Sequence, residues 1–216
     1  RIMPENSFTT YVPPSNYLSP MGKEAIISTL PNIRVFSGVY LEEENTTASL
    51  VQEFCEEEDG TISVPRITSG YSMDAYENQL MANELLLHGV FSHFIHPDDI
   101  LDPERSKGYT WEQMMNNFTA SIQKVNSVYP ELRHMTASDA AGAVQRYSRL
   151  SVDRVWEENG DLTLKLDGFT GNAWLAVNTR SAAFTVEGGT AHAISDHFYW
   201  IEASQDVVRL HWEAAE

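Results

Sequence analysis

The chain has 216 residues, 42% of them hydrophobic, enough for one large domain or a medium domain with a small appendage. Its formal charge of -17, from 31 acidic against 14 basic residues, argues against nucleic acid, whose binding relies on clustered Lys and Arg, and disfavours anionic membrane surfaces. A single cysteine, Cys55, excludes an intrachain disulfide, no Cys/His set has zinc-ligand spacing, and no apolar run is long enough to span a membrane.

The opening Arg1-Ile2-Met3-Pro4 carries no charged leader or cleavage site and predicts a piece of a longer protein. Phe8 to Val12 reads as a strand, followed by the turn-rich Pro13-Pro14-Ser15-Asn16, and Ser19-Pro20 starts a helix to about Leu30 as N-cap and first-turn proline. Asn32 to Tyr40 contains a second strand, a short helix is expected around Ala48 to Cys55, and Thr61 to Ile67 is a third extended piece. Ser72 or Asp74 starts a helix that Gly89 closes in a left-handed cap. The fourth strand carries His93 and His96 and runs into Pro97, Asp98 and Asp99. Thr110 and Gln113 form a capping-box pattern for a helix whose stripe from Trp111 through Met114, Phe118, Ile122 and Val125 reads as core. Thr136 with Asp139 begins a last helix, with Ala140, Val144 and Tyr147 facing inward.

Strands alternating with helices predict parallel strands with helical crossovers, hence an α/β layer or part of a (β/α) barrel over residues 1–150. From Ser151 the pattern becomes strict alternation: Arg154 to Trp156, Leu162 to Leu166, Trp174 to Val177, Ala183 to Val186, His197 to Ile201 and Val207 to Trp212. With Asn159-Gly160 and Gly188-Gly189 as hairpin signals, residues 151–216 read as a small antiparallel β-sandwich, in which Trp156, Trp174, Tyr199, Trp200 and Trp212 are dense enough for sugar stacking but read better as core, with one or two of them exposed.

Alternation places His93 and His96 on opposite faces of their strand, so the two do not form a metal pair. His93 reads as a buried histidine with a hydrogen-bond partner. For His96, Asp98 and Asp99 two readings stand: a general acid or base with carboxylates orienting the imidazole, or a turn that starts a helix. Pro14, Ser15 and Asn16 lie where a strand ends and a helix begins, a place suited either to a substrate hydroxyl or to the turn itself. Arg66 and Tyr71 sit in a second such loop, Arg66 for an acyl or acidic group or an ion pair, Tyr71 for stacking on a sugar. Glycoside hydrolysis through Asp98 or Asp99 would need a second carboxylate at catalytic separation, and the pattern supplies none.

On the loops Thr10 to Asn16 and Pro65 to Tyr71 and the strand bearing His93, His96, Pro97, Asp98 and Asp99, residues 7–148 resemble the C-terminal part of the NodB-type polysaccharide deacetylase barrel, more closely an uncharacterised bacterial group of large deacetylase-like proteins. The resemblance implies a secreted or cell-surface protein that hydrolyses N- or O-acyl groups on a glycan, with a divalent, zinc-like metal in the complete barrel. It also implies that His96 is the acid and that the proline-rich loop is part of the substrate groove. The family's early paired-aspartate motif and its H-(S/T)-x-x-H metal motif are absent here. By the resemblance, therefore, the chain either lacks the barrel's first strands and is inactive alone, or is a degenerate barrel that binds glycan as a noncatalytic scaffold. The β half resembles the small sandwich appended to many glycan-processing enzymes in architecture alone.

Overall fold

Parallel pairing begins at once, because Thr10–Tyr11 (β1) and Val35–Phe36 (β2) are joined by the helix Pro20–Thr29 (α1), a crossover that leaves the two strands running the same way. The computed structural model describes residues 8–16, 18–38, 53–87, 89–179 and 184–212. The chain divides into two compact units, Arg1–Ala141 and Gly142–Glu216, with the boundary inside the helix Ala137–Arg149 (α5).

In the first unit, β2 also pairs in parallel with Ile62–Ser63 (β4), and Cys55–Glu56 (β3) runs antiparallel to β4 at the edge. Cys55 thus lies in a strand, not in the expected helix, the remainder of which, like the end of the second strand at Val39-Tyr40, falls largely outside the described residues. The hydroxyl of Ser63 and the thiol of Cys55 both turn to the Glu57 carboxylate, a local tie that favours the extended pair. Val35, Phe36, Ile62 and Ser63 are all buried, as strands covered on both faces should be. Leu18, Ile33 and Phe36 form the cluster under α1, whose N-cap is Ser19. Lys23 on α1 reaches Asp59 at 2.8 Å. Partial burial pushes the Asp59 carboxyl up, but the bonds from Lys23 and Thr61 outweigh it and hold it down at about 2.

A second parallel pair, Thr68–Ser69 (β5) with His93–Phe94 (β6), is bridged by the helix Ala75–Leu87 (α2). Asp74 caps α2 reciprocally with Glu77, and Gly89 takes φ 66, the left-handed conformation expected there. Pro103–Ser106 (α3) and Trp111–Val128 (α4) follow, the latter with the full Thr110/Gln113 capping box. Two expectations of burial fail. Trp111 is 46% exposed at the first turn of α4, and Tyr147 is 84% exposed, since it sits about 90° around α5 from the Ala141–Val144 stripe.

The second unit has two antiparallel sheets. One orders Phe184–Glu187 (β10), Val207–Trp212 (β13), Leu162–Asp167 (β8) and Ser151–Trp156 (β7). The other orders Gly189–Ser195 (β11), Phe198–Ala203 (β12) and Ala173–Asn178 (β9). Alternate side chains of both sheets share one apolar cluster around Leu164, Leu166, Ile201, Val208 and Leu210. Asn159-Gly160 turns the β7–β8 hairpin with Gly160 at φ 89. Gly188, by contrast, makes no hairpin: β10 and β11 belong to different sheets. The glycine is required because, at φ 79, a Cβ there would stand 2.2 Å from the Val207 carbonyl oxygen, and one on Gly189 would stand 2.6 Å from that of Glu202.

Candidate functional site

The site grows from the ends of β5 and β6. Gly70, at φ 84, turns the chain out of β5 while its amide donates to the Phe94 carbonyl at 3.0 Å. His93 Nε2 lies 2.8 Å from the Gly70 carbonyl and Nδ1 lies 2.8 Å from the Thr68 hydroxyl. A carbonyl only accepts, so Nε2 carries the proton and Nδ1 accepts from Thr68. Burial pushes His93 below the ordinary imidazole value, against smaller opposing pulls from Gly70 and Glu77. Stacked on Phe118 at 5.7 Å, His93 is a neutral pin between the two strands and α4.

His96 takes different neighbours, as the alternation predicts. Pro97 opens a short 3-10 turn, Pro97–Leu101, whose first bond runs from the Asp99 amide to the His96 carbonyl at 3.1 Å. The helix-start reading of these residues is therefore realised in the backbone, and it has a consequence for the side chains. The turn sinks the Asp99 carboxylate, 6% exposed, against Arg105, which α3 presents after Asp102 caps its first amides. Arg105 pairs with Asp99 and donates from Nη2 to His96 Nδ1 at 2.8 Å. A guanidinium has no acceptor, so Nδ1 holds a lone pair here and the ring proton is on Nε2. Asp98 is 68% exposed and comes no closer than 4.0 Å to Arg105 Nη1.

Tyr71 closes the floor. Its hydroxyl donates to the His96 carbonyl at 3.2 Å and its ring meets Trp111 edge-on at 5.7 Å. Burial first, then Asp99 and Asp98, push the phenol above its ordinary value, so it stays a donor. Tyr71, His96, Asp99 and Arg105 line a cleft of about 470 Å³ together with Phe94, Glu104, Lys107 and the exposed Tyr109.

Asn16 and Arg66 meet beside the Phe94 ring. Ser15 and Asn16 adopt left-handed backbone at φ 52 and 59, which costs a non-glycine residue on the order of 1 kcal/mol each. The conformation aims the Asn16 side-chain carbonyl at Arg66, whose Nη2 donates to it at 2.5 Å. The guanidinium lies 4.1 Å from the centre of the Phe94 ring, and burial pulls its pKa down. Phe94 in turn meets the His96 ring at 5.2 Å. Asn16 therefore spends its acceptor on Arg66, while Pro14 and Ser15 are exposed and do not line the cleft.

Among the described residues no three of His, Cys, Asp and Glu come together as a metal site, so these residues do not themselves form the divalent-metal centre implied by the deacetylase resemblance. Nor is any described helix long and apolar enough to cross a membrane. A model of a bacterial family, described as "uncharacterised protein conserved in bacteria (DUF2194)", matches residues 1–200. The chain belongs to the DUF2194 family. No curated protein and no solved structure matches it significantly.

In this DUF2194 chain, His96, Asp99 and Tyr71 converge in one cleft, Arg66 and Asn16 pair beside Phe94, and Asp98 is exposed and does not line the cleft. Sequence reasoning missed Arg105, the group that organises the cleft. The signal available was a basic residue shortly after an acidic pair, just inside a helix marked by Asp102-Pro103, in a chain with 14 basic residues to share among 31 acidic ones.

Proposed function

We propose that the chain holds a polysaccharide in the cleft around His96, as the glycan-contacting portion of a secreted or cell-surface bacterial protein. The observation that carries this is the Asp99–Arg105–His96 chain: a buried carboxylate orients a guanidinium, which occupies Nδ1 and leaves Nε2–H as an outward donor. Planar donors and acceptors of this kind match sugar hydroxyls, and Tyr109 supplies a ring for the apolar face of a pyranose. The parallel pairs β1–β2–β4 and β5–β6 support reading the first unit as a portion of a (β/α) barrel, with the cleft at strand ends where such folds bind ligands.

A second reading, hydrolysis of N- or O-acyl groups when the protein is complete, is favoured by the position of His96 after a strand paired in parallel. In this geometry the imidazole is suited to donate Nε2–H to the acyl oxygen as negative charge develops there, since Nδ1 already receives Arg105. Calorimetric titration with N-acetylated and O-acetylated oligosaccharides and their deacylated forms tests the binding. Tyr109→Ala and His96→Ala should each weaken it by about tenfold, and flat heats across the whole set overturn the reading. Acetate release by the complete protein separates the two: in His96→Ala, a fall in kcat beyond the loss of binding supports hydrolysis, and an unchanged kcat removes His96 from it.

A further inference from the structure

The tryptophans of the second unit do not all serve its core. On β9 and β12 the core takes Ala173, Leu175, Val177, Tyr199, Ile201 and Ala203. Strand alternation therefore sends Trp174, Asn178, Phe198, Trp200 and Glu202 to the opposite face, where His192 of β11, paired with Trp200, joins them. The outward face of an antiparallel sheet is ordinarily polar, so three large aromatics there, each half-buried, call for an occupant.

The rings are arranged rather than scattered. The Trp174 indole reaches across β12 to stack on His192, with centroids 5.4 Å apart and planes at 28°. His192 Nε2 in turn stands 3.6 Å from the Glu202 carboxylate. Beside this braced group, Phe198 and Trp200 meet edge-on at 5.6 Å. We infer that this sheet face is a second carbohydrate-binding surface, separate from the His96 cleft, for an uncharged or amine-bearing glycan.

The chemistry of the face selects that occupant. Aromatic rings alternate with a carboxylate, an imidazole and an amide, so the C–H face of a pyranose can lie on the indoles while its hydroxyls, or an amino group, bond to Glu202, His192 and Asn178. A protein partner of apolar character would strip water from those three polar groups without replacing it. None of the outward positions on β9, β11 and β12 is Lys or Arg, and the chain carries a charge of -17, so anionic lipid and anionic polysaccharide are repelled. Glu202 and the same charge attract an amine-bearing chain.

The test uses oligomers of glucosamine and of N-acetylglucosamine with the full chain, following the indole N–H signals of its five tryptophans by NMR. Signals of Trp174 and Trp200 should move with either oligomer. They should move also in Tyr109→Ala, where binding in the other cleft is weakened. Trp174→Ala and Trp200→Ala should each lower that affinity about tenfold, and Glu202→Gln should weaken the glucosamine oligomer more than its N-acetylated counterpart. Because the wild-type signals are themselves diagnostic, a variant that fails to fold does not decide the matter. If neither indole responds to either oligomer, or only Trp111 does, the inference is overturned, whatever happens in the cleft.

Discussion

The paired strands of the first unit are two residues long, whereas those of the second run from four to seven. A two-residue ladder makes too few bonds to hold itself, so the first unit ties its strand ends with side chains. His93 bridges Thr68 and Gly70, Asn16 holds Arg66, Lys23 holds Asp59, and Arg105 holds Asp99 with His96. In the second unit the backbone ladders and a shared apolar cluster fix the geometry, and the outward side chains contact one another without being needed to join the strands. A polar side chain in the first unit is thus part of the scaffold even when it borders a cleft. In the second, side chains on the outer face do not hold the strands together, and an unexpected residue there points to a ligand.

Breaking each unit at its own kind of support sharpens this contrast. The largest effect is expected from Ile201→Ala, since this fully buried side chain lies at the centre of the second unit's cluster. The loss should be about 3 to 4 kcal/mol, read by hydrogen exchange as faster opening of β8, β9, β12 and β13. Protection lost equally in the first unit would show that the two do not draw on separate supports.

Arg105→Ala should cost the first unit about 2 kcal/mol by leaving the Asp99 carboxylate buried without its cation, less than for a fully buried pair because Arg105 is 42% exposed. Adding Asp99→Asn should recover part of that loss, a coupling that a double-mutant cycle measures. Strict additivity would mean that the pair does not organise the cleft.

The smallest effect is electrostatic and belongs to the second unit. His211 lies 2.7 Å from Asp161 of the β7–β8 hairpin and 3.6 Å from Glu187, with Arg209 also near Glu187 at 3.7 Å. The bond to Asp161 raises the imidazole above its ordinary 6.5, and the same bond lowers the Asp161 carboxyl below its ordinary 3.8. A raised His value stabilises fully below 6.5 and is lost as pH climbs through the folded value; a lowered Asp value stabilises fully above 3.8 and is lost as pH falls through its folded value. Both contributions are complete between those two ordinary values. Thermal midpoints of the second unit should therefore decline as pH rises above about 6, and Asp161→Asn should flatten the decline. An unchanged slope in that variant would assign the dependence to other groups.

Local chemistry was legible in the sequence by itself. Ser19, Asp74 and Thr110 cap helices because the partners of a cap lie within three residues. Gly89 and Gly160 take left-handed backbone where turns demand it, and His93 was recognisable as a histidine with a partner. Alternation likewise marked most strands of the second unit, although β11, with its small and polar residues, gave no such signal. Tertiary structure alone decided what depends on distant neighbours: that Cys55 pairs in a strand, that Gly188 links two sheets, that Arg105 commands His96, and that Trp174 and Trp200 face outward. The physical reason is separation along the chain. Periodicity shows that a strand has two faces, but which of them is covered depends on pairings that no local pattern records.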